Sequence, residues 1–173
     1  MSISMYQAAV EPFVQTLAAL SASLAKAQAY AAAKKFDAAV LLSLRLAPDM
    51  FPLSRQVQIA CDFAKSTTAR LAGVEVPSWK DDEKTIADLR ARIDRTLDYV
   101  RSFKPGQLDG SEERDVTITL AGKPVTFKGR PYLINFVLPN FYFHSTVAYA
   151  ILRHNGVELG KRDFMGNVPG LSV

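Results

Sequence analysis

The amino-acid pattern predicts an all-α chain: a four-helix bundle with one small β-hairpin between its third and fourth helices. Three observations predict it. Four long segments repeat apolar residues at spacings of three and four, as a helix with one buried face requires. Gly, Pro or Asn punctuate the ends of those segments. One short stretch, 116–127, switches instead to a period of two.

Helix one runs from about Ser4 to Ala33, with Val10, Phe13, Leu17, Leu20 and Leu24 as its buried stripe. Pro12 is tolerated near a helix start, but it is also able to kink the helix or mark its true beginning. A short helical stretch follows Asp37, an N-cap residue, through Leu41, Leu44 and Leu46, and ends before Pro48. Helix two spans roughly Pro52 to Leu71 and stops at Gly73, with Asp49 expected as a cap rather than a catalytic acid. Its apolar set is Leu53, Val57, Ala60, Cys61, Ala64 and Leu71, widened by Ile59 and Phe63.

Helix three covers about Asp82 to Phe103 on the stripe Ile86, Leu89, Ile93, Leu97 and Val100, and reads as structural. Asp81, Asp82 and Glu83 suit its positive start. Val116, Ile118 and Leu120, then Val125 and Phe127, alternate about Ala121-Gly122, which is the hairpin. Helix four runs from about Pro131 to His154 and closes at Asn155-Gly156. Leu159, Phe164 and Met165 are the tail residues able to dock on the bundle. No repeat, low-complexity tract or linker divides the chain, so 1–173 reads as one domain.

Composition excludes several classes. The 173 residues are enough to bury a core without disulfides or a structural metal, and a hydrophobic share of 49% excludes a disordered chain. A net charge of +4 is mild, and the only adjacent basic pairs are Lys34-Lys35 and Lys161-Arg162. A phosphate-tracking surface needs a clustered basic stripe, so no nucleic-acid partner is expected. Cys61 is the only cysteine, which excludes an internal disulfide and a Cys-based zinc site; on its apolar helix face it reads as an inert core thiol. The start Met1-Ser2-Ile3-Ser4-Met5-Tyr6 lacks the basic and apolar regions of a signal peptide, and cytoplasm is the expected compartment. Residues 131–152 contain no Asp, Glu, Lys or Arg, but Asn135, Pro139, Asn140 and His144 interrupt them; a buried bundle helix, not a membrane span, is expected.

Candidate chemistry gathers on one helix face. The two histidines, His144 and His154, lie about 15 Å apart along one helix and point about 80° apart, so they cannot share a metal ion. His154 sits at the helix end, where a cation is favoured. On a helical wheel His144 groups with Leu133, Val137, Asn140, Val147, Ala148 and Ile151, and Asn140 is its neighbour one turn earlier. A buried Asn and His both require hydrogen-bond partners. An internal network that fixes helix register and a ligand site satisfy that requirement equally. On helix two, Gln56 falls inside the apolar arc between Ala60 and Phe63, whereas Arg55, Gln58, Asp62 and Lys65 occupy the opposite side and are expected to face solvent. No phosphate-binding Gly-rich loop, dinucleotide fingerprint or G-x-S-x-G nucleophile elbow is present.

The runs LRLAPDMFPLSRQVQIACDFAK (44–65), FKPGQLDGSEERDVTI (103–118) and LPNFYFHSTVAYAILRHNGVELGKRDF (138–164) resemble domain-of-unknown-function family 1993, grouped with the DinB/YfiT-like bundles. The resemblance covers nearly the whole chain. It implies a four-helix bundle with a long crossover between helices one and two, often assembled as a homodimer. Better-known members of that superfamily hold a divalent metal with three histidines, one on helix two and an H-x3-H pair on helix four, and some are thiol-dependent S-transferases. Matching the ending Leu152-Arg153-x-x-Gly156 places the H-x3-H pair on Asn140 and His144 and the helix-two ligand near Gln56.

With two histidines in all, the three-His site cannot be completed here. Neutral amide oxygens are weak ligands for zinc or nickel. The expectation is a small-molecule ligand in an interior polar pocket lined by Gln56, Asn140 and His144, without the family's metal. The alternatives are an S-transferase or hydrolase-like enzyme using His144 as general base or sole strong ligand for Zn or Ni, and a non-catalytic dimeric structural or stress protein.

Overall fold

The structure, a computed structural model, describes residues 3–171. Residues 1, 2, 172 and 173 lie outside that range.

The long helices form because the predicted stripes have a common core to bury. Helix α1 spans Met5–Lys34 and is capped by Ser4, whose hydroxyl accepts from the Gln7 backbone N–H while the Gln7 side chain accepts from the Ser4 N–H. Pro12 sits inside α1 and the helix continues through it. Helix α2 spans Leu53–Ala72 and ends at Gly73 in the left-handed region, φ 71°. Helix α3 spans Ile86–Ser102 and opens with a reciprocal cap between Thr85 and Asp88. A one-turn helix, α4, covers Pro105–Leu108.

Strands β1 (Asp115–Leu120) and β2 (Lys123–Lys128) pair antiparallel, with Ile118 opposite Val125. Ala121 and Gly122 form the two-residue turn, both with positive φ. Short helix α5 (Gly129–Pro131) leads through a wide, π-helical turn at Tyr132–Val137 into α6 (Leu138–His154). Helix α7 covers Lys161–Met165.

In the bundle α1 packs on α3, α6 and α2, while α2 packs on α6 and α3, giving the spatial order α1–α3–α2–α6. The 35–52 connection is the expected crossover, and the hairpin lies between the third and fourth long helices. Phe13 meets Phe141 edge-on at 4.8 Å across the α1–α6 seam, and Leu17, Leu24, Leu53, Leu89 and Ile93 fill the centre. Helix α7 docks on α1 through Gln15 Nε2, which donates to Met165 O, and through the Lys26–Asp163 ion pair. Helix α1 is itself long and apolar enough to span a bilayer by composition, a property not expected from its stripe, yet its apolar side is packed into the bundle. The uncharged segment 131–152, made up of the π-helical turn and most of α6, likewise packs against α2.

Four local expectations need correction. The stretch after Asp37 is a 3-10 turn that ends at Ser43, because Leu44 turns extended. Asp49 caps nothing: the residue before α2 is Pro52, which has no side-chain acceptor. Helix α3 starts four residues later than expected, since Thr85 supplies the cap, and Asp81 and Glu83 are drawn to arginines instead. The fourth helix does not run as a regular α-helix through Pro139. Proline offers no N–H to the carbonyl four residues back, Asn135, and the chain widens into the π-helical turn ahead of it.

Candidate functional site

Gln56 and His144, on α2 and α6, meet at the seam between those helices. Gln56 lies in the second turn of α2 with 1% of its surface exposed, and His144 in the second turn of α6 with 9%. The Gln56 amide makes two hydrogen bonds. Its Nε2 donates to Phe51 O at 3.0 Å, so its Oε1 is the atom facing the imidazole, 2.7 Å from His144 Nδ1. A glutamine oxygen only accepts; Nδ1 therefore carries the proton. The neutral tautomer follows, with its lone pair on Nε2. That nitrogen has no protein partner among the described residues and is not sealed from solvent.

The surroundings are aromatic. Phe63 stacks on the His144 ring at 6.0 Å and Phe143 meets it edge-on at 5.2 Å. Phe63 also touches Phe136, which stacks on Phe127 and Tyr132. Burial, and secondarily the charge of Arg55, hold the His144 pKa below its ordinary 6.5, so the ring is neutral at pH 7. Phe51 and Phe143 leave the site towards solvent, both more than half exposed.

Asn140 is not brought into this pair. It is half-buried, and its Nδ2 donates to Phe136 O at 2.7 Å, inside its own helix. That bond satisfies a carbonyl at the disturbed turn before Pro139, which is reason enough for an Asn here. Its Oδ1 stays unpaired among the described residues. His154 is exposed in the last turn of α6, as expected. Cys61 is fully buried, and burial pushes its thiol up to about 12, opposed by a weaker hydrogen bond with Thr96. It is an inert core thiol.

The three-His metal site of related bundles does not fit this donor set. At the three matched positions only His144 is a strong ligand; the Gln56 oxygen is already bonded to it, and the Asn140 amide is tied to Phe136 O. Among the described residues no three His, Cys, Asp or Glu side chains are grouped to hold a metal ion.

A second polar cluster was missed from sequence. Arg92 on α3, only 3% exposed in its side chain, bonds Asp62 on α2 and both Asp81 and Glu83 in the connection before α3. Burial alone would lower its pKa, but the bond to Glu83 and the charges of Asp62 and Glu83 raise it. Gln58 donates to Glu83 at 2.8 Å and Lys65 pairs with Asp62, so two residues expected in solvent are buried. Trp79 is held between Lys65 and Arg95, at 4.6 and 4.3 Å from its ring centre. Beside this knot lies an open cleft of about 740 Å³ lined by Trp79, Lys80, Glu83, Lys84, Arg92 and Arg95 among others. Neither it nor the clefts along α1 include Gln56, Asn140 or His144. A wheel could not reveal the Arg92 cluster, because its partners lie 9 to 30 residues away in sequence.

Comparison with known proteins accords with the bundle. The chain matches the family described as Domain of unknown function (DUF1993) over residues 5–165. It is similar to the crystal structure of a DinB family member protein from Shewanella denitrificans, with 43% identity, 97% of this chain and 95% of that chain covered, and a TM-score of 0.86. No curated protein matches it. A mostly helical chain with this hairpin, matched over nearly its whole length, belongs to the DUF1993 family of DinB/YfiT-like bundles.

Proposed function

We propose that this chain binds a small organic molecule at the α2–α6 seam, with the His144 Nε2 lone pair as the acceptor that orients it. One observation carries this reading: the Gln56 amide fixes the imidazole tautomer and leaves Nε2 open to solvent beside aromatic rings. Gln56 is the positioning residue, held in turn by Phe51 O. Asn140, one turn before His144, offers its free Oδ1 as a second acceptor. An apolar body packs on Phe63 and Phe143, and a hydroxyl or N–H donates to Nε2. This is the usual design of a small-molecule site, with few polar atoms among apolar walls.

The test is 15N NMR of the histidine rings during titration with phenol, a minimal probe with an aromatic body and one donor. Phenol is expected to move the His144 Nε2 resonance and leave His154 unmoved, with the response lost in Gln56→Leu. Equal shifts at both histidines, or none at His144, would defeat the proposal. Protein purified without a polyhistidine tag provides a second check. Stoichiometric zinc or nickel that disappears in His144→Ala would replace this reading with a metal site.

The same tautomer supports a second reading, His144 as a general base, since an oriented neutral imidazole with a free lone pair is what proton abstraction requires. It is distinguished by turnover of a bound molecule that rises through the His144 pKa and is absent in His144→Gln.

A further inference from the structure

The α1–α6 seam holds a polar feature separate from the Gln56–His144 pair. Ser145 follows His144 in sequence, but it is 1% exposed and lies with Thr16 and Ser23 of α1 around a small cavity. Leu20 completes the wall, and half-buried Tyr149 and Phe164 close the outer side.

The Ser145 hydroxyl is the anomaly. A buried serine or threonine on a helix can donate to the carbonyl four residues back. Ser23 does so to Ala19 O at 3.0 Å, Thr68 to Ala64 O at 2.6 Å and Thr96 to Arg92 O at 2.8 Å. Ser145 Oγ makes no such bond and has no hydrogen-bond partner among the described residues. A buried hydroxyl left in that state costs stability, and native cores keep few of them. The cavity supplies what the helix does not. Ser23 has given its proton to Ala19 O, so its oxygen is free only to accept. Thr16, 8% exposed, brings a hydroxyl that both donates and accepts. The space open to a water-sized sphere is about 10 Å³, room for one water and for nothing larger.

Helix α7 is what shuts this space. Phe164 meets Tyr149 edge-on at 5.7 Å beside the cavity they both line. The residues on either side of Phe164 are tied to α1: Gln15 Nε2 donates to Met165 O at 2.8 Å, and Lys26 pairs with Asp163 at 2.7 Å. At Gly166, φ 62°, the chain passes so near α1 that a Cβ there would come within 2.8 Å of the Ala19 Cβ.

We infer that the cavity is a binding site for one long-lived water molecule that joins α1 to α6, with α7 as its gate. The water accepts a hydrogen bond from Ser145 and donates one to Ser23 Oγ. Its third partner is Thr16, which makes the count usual for a buried water. Ser145 is then a structural residue, not a nucleophile served by His144. The water site stands whether or not His144 binds a ligand.

A high-resolution crystal structure of the intact chain and oxygen-17 relaxation dispersion of the solvent test the site together. Density for one water within hydrogen-bond distance of the Ser145, Ser23 and Thr16 oxygens is expected. In solution Ser145→Val, whose two methyl groups fill the space, should lower the dispersion amplitude by that of about one long-lived water. Phe164→Ala removes the plug and none of the hydroxyls. It should keep the water and shorten its residence time about tenfold, as the edge contact with Tyr149 is lost. The temperature dependence of the dispersion reads that time. A crystal in which Ser145 Oγ turns to the Phe141 carbonyl, with no density in the cavity, would overturn the site. Undiminished dispersion in folded Ser145→Val would do the same, and if that variant does not fold, the density in the intact chain decides alone. An unchanged residence time in Phe164→Ala would overturn the role of α7 as gate.

Discussion

Replacing Gln56 by Leu probes the hydrogen bond on which the site is built. The change keeps roughly the same volume and removes two hydrogen bonds from a side chain that is 1% exposed. Each bond contributes about 1 kcal/mol net, and leaving the His144 Nδ1–H buried without an acceptor costs about 1–3 kcal/mol. Phe51 O, on an exposed residue, is able to recover water and adds little. Gln56→Leu is therefore expected to destabilise the fold by about 2–4 kcal/mol. His144→Leu strands Gln56 Oε1 in the same way and costs about 1–3 kcal/mol. The double leucine variant strands neither group, and two apolar side chains of fitting shape are close to neutral, within about 1 kcal/mol. The cycle thus predicts a coupling of about 2 kcal/mol or more, at the upper end of what touching residues show. Urea unfolding at pH 7.5, followed by both circular dichroism and the fluorescence of Trp79, measures all four proteins. Additive single effects, with coupling below about 0.5 kcal/mol, would refute the claim that the two side chains act as one unit.

Three further outcomes are expected. His144 has a folded pKa below 6.5, so in the window between that value and 6.5 the unfolded chain holds more protons. Its contribution to stability is complete above pH 6.5 and is lost as pH falls through the window; the slope of stability against pH there should be shallower in His144→Gln, and an identical slope would contradict the burial described. Arg92→Leu leaves Asp62, Asp81 and Glu83 without their shared buried cation and should cost about 3 kcal/mol, the low end for a broken buried pair because two of the carboxylates reach solvent; a urea-measured loss below about 1 kcal/mol would show the cluster to be ornamental. Ala121 takes a φ of 47° at the hairpin turn, so Ala121→Gly should gain about 0.5–1 kcal/mol despite the freedom glycine adds to the unfolded chain, read as a rise in the urea midpoint.

The helices were legible because their stripes and ends are local. Ser4, Asp37 and Gly73 act where their chemistry placed them, within a few residues of their targets. Gln56 and His144 were also legible, since a polar residue inside an apolar arc must find another polar group, and the bundle brings two such arcs together. Asn140 satisfied the same test for a different reason: its partner is the Phe136 carbonyl in the π-helical turn before Pro139, which a regular 3.6-residue wheel does not represent. The Arg92 cluster failed the test from the other side. Polar residues beside a solvent face are read as solvated, whereas Gln58 and Lys65 are covered by a connection whose path depends on Asp81, Glu83 and Trp79. That path is a tertiary fact. Asp81 and Glu83 look like helix-start acids until the cation that attracts them is in place.

Cys61 has a practical meaning beyond its place in the core. It is the chain's sole thiol, it is 0% exposed, and its suppressed ionisation leaves almost no thiolate at neutral pH. A thiol reagent can reach it only when α2 separates from its neighbours. Its rate of modification in native buffer therefore times the opening of the same helix that carries Gln56 and Arg55. A ligand that bridges α2 and α6 should slow this labelling in proportion to its occupancy. The native protein thus contains its own stopwatch for how often the seam comes apart, needing no introduced probe.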